Sequence, residues 1–208
     1  MGHVANGINL AVRYATCALP LARTDAIELE EALATNSDDR VRNAALGTLV
    51  RAGGGRARSA WQRSARDPSP AVRRRAGELA PSVAPAPVVG LLALLTDGDA
   101  LVAETAAWAL GEIAWTGRTR ARVVGALARS AQSHPDPLVR ESAVAALGAV
   151  GDARGLPAIL TACGDRPPIR RRAVLALAPF EGPEVDAAIA AALTDSDWQV
   201  RQAAEDLR

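Results

Sequence analysis

Trp108 and Glu112 stand four residues apart, and Glu104 precedes the tryptophan by another four. On a helix that spacing puts all three side chains on one face. An exposed indole is a strong anchor for a partner, and a carboxylate beside it is the group an enzyme would use to move a proton. The other chemistry-bearing residues are basic: Arg74-Arg75 and Arg171-Arg172 flank an acidic middle made of Glu104, Glu112 and Glu141. No metal set is legible, because His3 and His134 are isolated and Cys17 and Cys163 lie in no CxxC spacing. No nucleophile elbow, phosphate loop or dinucleotide fingerprint follows a strand pattern. Gly53-Gly54-Gly55 lacks the Lys-Ser/Thr of a phosphate loop and reads as a flexible turn. No cofactor is expected.

Composition narrows what can position those residues. The 208-residue chain is 49% apolar but only 3% aromatic, so its core must be built of Ala, Leu and Val. Small side chains let helices pack closely. Every basic residue except the two histidines is arginine, and the net charge is +1, so bulk charge recruits neither nucleic acid nor an anionic membrane. The two distant cysteines suggest unbridged thiols in a reducing cytoplasm. No run of about 18 apolar residues would span a bilayer. The first residues lack the basic and apolar regions of a secretory leader. The expectation is a cytoplasmic protein away from membranes.

A repeat governs the rest. An aliphatic anchor recurs at Val41, Val72, Val102, Val139, Ile169 and Val200, at intervals of 30 or 31 residues with one of 37. The next residue is Arg42, Arg73, Ala103, Arg140, Arg170 and Arg201. Four positions after the anchor stands alanine without exception: Ala45, Ala76, Ala106, Ala143, Ala173 and Ala204. Three before it come Asp38, Ser69, Asp99, Asp136, Arg166 and Asp197, of which five are good helix N-caps. Each anchored helix needs a partner before it, predicted over 24–34, 56–65, 87–95, 118–132, 156–162 and 184–193. The 37-residue interval calls for a longer first helix at 119–132 or a longer loop at Trp115-Thr116-Gly117. One helix pair cannot bury its apolar face, whereas stacked pairs bury a continuous core. The pattern predicts an all-α, right-handed α-solenoid of about six helix pairs over residues 24–208. An apolar stripe of Ile8, Val12, Ala15 and Leu19 predicts a capping helix within residues 1–23.

The phrase Asp-x-Asp/Ser-Pro-x-Val-Arg-x-x-Ala-x-x-x-Leu-Gly resembles the short HEAT-like repeats, a kind also found in phycobilisome lyases. Residues 134–152 match it almost throughout, and residues 97–113 match except at Ala103. The resemblance covers roughly residues 24–208. It implies the fold, and it implies a ladder in which Arg42, Arg73, Arg140, Arg170 and Arg201 pair with aspartates of neighbouring repeats. HEAT-like proteins scaffold, bind nucleic acid, chaperone and occasionally catalyse. Trp108 with Glu112 also resembles the groove pair of HEAT-like DNA alkylation glycosylases, but Trp-Ala-Leu-Gly-Glu is itself common repeat consensus.

In such a fold the second helix of each pair lines the concave face, and Trp108 falls on its open side or else fills a gap left by small neighbours. Trp61 shares a stripe with Ala57, Ala60 and Ala65 and reads as core, and Trp198 opens the last repeat. The acidic middle interrupts any basic stripe that would track phosphates. The function expected is a non-enzymatic adaptor or scaffold that takes a protein or peptide on Trp108, Glu104, Glu112, Arg75 and Arg172. The alternatives are a nucleic-acid-binding module using Arg74, Arg75, Arg171 and Arg172, and, by resemblance, a helper subunit of a lyase. The alanine register predicts that Ala143→Leu overpacks a helix contact and costs about 1–3 kcal/mol, as a shift of the urea midpoint will show.

Overall fold

A computed structural model describes residues 23–208. Apart from Arg23, the capping segment expected over 1–23 lies outside the described residues, as does Cys17. The regular structure of the described residues is helical, without a strand. In chain order the helices are α1 (Arg23–Thr35), α2 (Asp39–Ala52), α3 (Gly54–Ser64), α4 (Pro70–Leu79), α5 (Val88–Leu94), α6 (Ala100–Glu112), α7 (Gly117–Ser133), α8 (Pro137–Val150), α9 (Leu156–Ala162), α10 (Pro167–Ala176), α11 (Pro183–Ala192) and α12 (Trp198–Glu205). The chain divides into two compact units, one ending at Leu94 and one beginning at Leu95. The division falls between the two helices of the third pair.

Within the first unit, α2 packs against α1, α3 and α4, and α4 against α5. In the second, α6, α8, α10 and α12 pack side by side in that order, each against its successor. The first helices α7, α9 and α11 lie against them and form a second layer. All six register alanines are fully buried, together with the anchors Val72 and Val139. The long interval is taken up by α7, which runs for 17 residues.

Helix starts follow local chemistry. Asp38, Asp99, Asp136 and Asp197 each accept backbone N–H bonds from their first turn. Ser69 does not cap α4 in this way: its Oγ donates to Asp39 Oδ2 at 2.7 Å instead. The glycine run is only in part a turn. Gly53 and Gly54 have φ of 76° and 70°, which suits residues without Cβ, but Gly54 and Gly55 already belong to α3.

Arg42, Arg140 and Arg170, each the residue after an anchor, tie two turns together. Arg42 donates from Nε and Nη2 to the carboxylate of Asp67 at 2.8 and 2.7 Å. Arg140 does the same with Asp165 at 2.9 and 3.2 Å, and Arg170 with Asp195 at 2.9 and 2.7 Å. Each of these arginines also donates from Nη1 to carbonyl oxygens of the turn before its own helix, as do Arg73 and Arg201. The aspartates in turn order the following turn: Asp67 accepts the Ser69 N–H and Asp195 the Asp197 N–H. The third pair departs on both sides of the interaction. Ala103 replaces the arginine, and His134 stands where the aspartate would, accepting the Asp136 N–H through Nδ1 at 3.2 Å. The donor and its anionic partner are lost together, so no charge is left unpaired.

Burial works against ionisation of Asp67, but hydrogen bonds from the Arg42 guanidinium and the Ser69 N–H, with the charges of Arg42 and Arg73, together leave the carboxyl below its usual range. Hydrogen bonds from Arg140 and Arg170 lower those of Asp165 and Asp195. Groups whose folded pKa is depressed stabilise the fold fully above their unfolded value, here 3.8, and lose that contribution as pH falls through the folded one. Urea melts will therefore show a stability that these three pairs keep level between about pH 7 and 5 and that drops below about pH 4.

Candidate functional site

Three second helices of the second unit frame an open groove of about 400 Å³. From α6 come Glu104, Trp108 and Glu112; from α8, Leu138 and Glu141; from α10, Arg172. The floor is made of small residues, Gly111, Ala145, Ala146 and Ala149. Its shallowness has a backbone cause. A Cβ on Gly111 would lie 2.9 Å from Ala146 Cα, and one on Gly148 would lie 2.7 Å from Ala176 Cα. The helices touch at their main chains, so wide residues stand only along the rims. The signal for this was the Leu-Gly doublet, at 110–111 and again at 147–148. Those glycines sit nine positions after their anchors, opposite an alanine seven after the next anchor.

Trp108 is 42% exposed, while Ala107, Ala109 and Leu110 around it are buried. Its indole is therefore open to solvent. Leu138 is also exposed on the groove. Glu104 is held in place from two sides: Thr105 Oγ1 lies 3.3 Å from its carboxylate, and Ser142 Oγ of α8 donates to its carbonyl oxygen at 3.1 Å. Arg172 Nε sits 3.6 Å from Glu141 Oε1, buried and without a hydrogen-bond acceptor. Three carboxylates against one guanidinium make the groove net acidic.

The structure thus brings Glu104, Trp108, Glu112 and Arg172 to one groove, with Glu141 and Leu138 added. Arg171, next in chain to Arg172, does not line it, and its Nε is buried without a hydrogen-bond partner. Arg74 and Arg75 belong to α4 of the first unit, where both approach Glu78, at 3.5 and 2.8 Å. The remaining tryptophans do other work. Trp61 is 1% exposed and donates to Ala76 O, Trp115 caps the end of α6 by donating to Leu110 O at 2.8 Å, and Trp198 is exposed at the start of α12. Among the described residues no three His, Cys, Asp or Glu side chains gather into a metal-ligating group. Burial pushes the Cys163 thiol up to about 11, far from a reactive thiolate.

Residues 87–178 match the family model for HEAT repeats. This segment is built of HEAT repeats. No curated protein sequence matches the chain. Among solved structures, YibA of E. coli aligns with 98% of this chain and 73% of its own, with a TM-score of 0.65 at 16% identity. A designed armadillo repeat protein in complex with the peptide (KR)4 aligns over 86% of this chain and 96% of its own, with a TM-score of 0.61 at 17% identity. An engineered protein aligns over 97% and 96%, with a TM-score of 0.57 at 22% identity. The HEAT repeats of this chain share the all-helical HEAT- and armadillo-type repeat fold with these structures.

The close contact of the HEAT-repeat helices beneath the groove is open to direct test. Gly148→Ala puts a methyl against the backbone of α10, with no flexible side chain to give way. It should lower stability by about 1–3 kcal/mol, read from urea melts, whereas Gly98→Ala, which meets nothing within 4 Å, should leave the midpoint within about 0.5 kcal/mol.

Proposed function

We propose that this chain is a non-enzymatic scaffold that receives an extended protein segment in the α6–α8–α10 groove. The observation that carries the reading is Trp108, half exposed, with Glu104 and Glu112 one helical turn to either side of it. An indole face attracts a cation, and desolvation strengthens that attraction to about 2 kcal/mol. Carboxylates at the rim select the same charge. The partner segment accordingly presents a Lys or Arg over Trp108 and an apolar residue toward Leu138. Arg172, tied to Glu141, leaves room for an acidic residue further along. The similar fold of the designed armadillo protein in complex with (KR)4 supports a basic peptide as the first probe. Nucleic acid is the weaker reading, because Arg74, Arg75 and Arg172 already face carboxylates.

Titration calorimetry with an extended Lys/Arg peptide tests this. Trp108→Ala should weaken binding by about 2 kcal/mol or more, roughly thirtyfold, with a modest dependence on salt. A gel shift with mixed DNA and RNA decides against the proposal if it shows binding that is steeply salt-dependent, lost on replacing Arg74, Arg75, Arg171 and Arg172 together, and kept in Trp108→Ala.

A further inference from the structure

A second concavity lies in the first unit, on α3 and on the chain from Ala86 through α5, and it has the opposite charge. Its volume is about 320 Å³. One wall carries Arg58 and Gln62, four residues and about 6 Å apart along the axis of α3, and Arg66 two residues past its end. The other wall is apolar: Ala86, Pro87 and Val88, with Val89 70% exposed. Trp61 forms the base. The two walls stand this close only because residue 90 is glycine, where a Cβ would meet the buried Trp61 ring at 2.5 Å. Among the described residues no Asp or Glu lines the cleft. Among the described residues neither Arg58 nor Arg66 has a carboxylate within ion-pair distance. Arg56, on the same helix, does, facing Glu30 at 3.8 Å.

Two guanidiniums without a carboxylate partner among the described residues, opposite an exposed valine, ask for a ligand that is anionic on one side and apolar on the other. Phosphate backbones meet the first requirement and offer nothing to the apolar wall. A helix with an acidic and an apolar face meets both. Arg58 and Arg66 are eight residues apart, about 12 Å along a helix axis, so carboxylates two turns apart on the partner would reach both. We propose that this cleft is a docking site for an acidic amphipathic helix of a partner protein, separate from the tryptophan groove of the second unit and independent of the function proposed for it.

The probe is a fluorescein-labelled amphipathic peptide of about 16 residues, long enough for four turns, with glutamates two turns apart on one face and leucines on the other. Its binding to the whole chain is followed by anisotropy. Binding should fall at least tenfold in Arg58→Glu/Arg66→Glu and also in Val89→Asp, three exposed positions where helix content by circular dichroism should not change. The same peptide with lysine for glutamate should not bind. The proposal is overturned by failure of the acidic peptide to bind at about 100 µM, or by equal binding to the double charge reversal. It is overturned in favour of nucleic acid if a single-stranded oligonucleotide binds through Arg58 and Arg66 and Val89→Asp leaves that binding unchanged. Loss of folding in the charge-reversal variant is bypassed with Arg58→Gln/Arg66→Gln, for which a loss of at least threefold is required.

Discussion

No helix pair in this chain can bury its own apolar face, and every other feature answers that constraint. Within each unit the surface left open by one pair is covered by the next: α2 packs on α4, and α6, α8, α10 and α12 pack in succession. An alanine stands at the fourth position after each anchor. All six of these alanines are buried completely. In the second unit Gly111 and Gly148 let main chain meet main chain. Burial on this pattern is cheap in side-chain entropy, since alanine and glycine have none to lose.

The polar ties follow the same period and act on the loops. Packing of smooth, alanine-rich faces specifies translation along the contact poorly. A bidentate Arg–Asp pair has fixed geometry, and it joins the turn of one repeat to the turn of the next. The pairs at Arg42, Arg140 and Arg170 are partly or wholly withdrawn from water, where removing one partner would strand the other. The exchange at Ala103 and His134 obeys this rule: both halves changed, and the imidazole kept the aspartate's local task of accepting an N–H.

The same small residues that let the helices meet also shape the surface. With nothing larger than alanine on the groove floor, the wide side chains of the rim stand out from it. Trp108 is held at a place where its neighbours cannot cover it. Its partial exposure is thus a consequence of how the pairs stack. The first unit reaches its cleft by the same device, a glycine that lets one helix ride over a tryptophan ring, but there the ring faces inward and the arginines face out.

Much of this could be read directly from the chain. The anchor-arginine-alanine register placed the second helices to within a residue or two, and the spacing of 104, 108 and 112 put three groove residues on one face, because both are properties of a single helix. The capping aspartates were legible for the same reason, and Ser69 was not, since its hydroxyl is drawn to Asp39 of another repeat. What lay beyond the sequence depends on distances between elements. Which aspartate each arginine takes, that His134 stands in for one, and that the Leu-Gly doublets mark main-chain contacts are all facts about neighbouring helices. So is the exposure of Trp108. Periodicity assigns a residue to a face, but only the packed neighbours decide whether that face is covered.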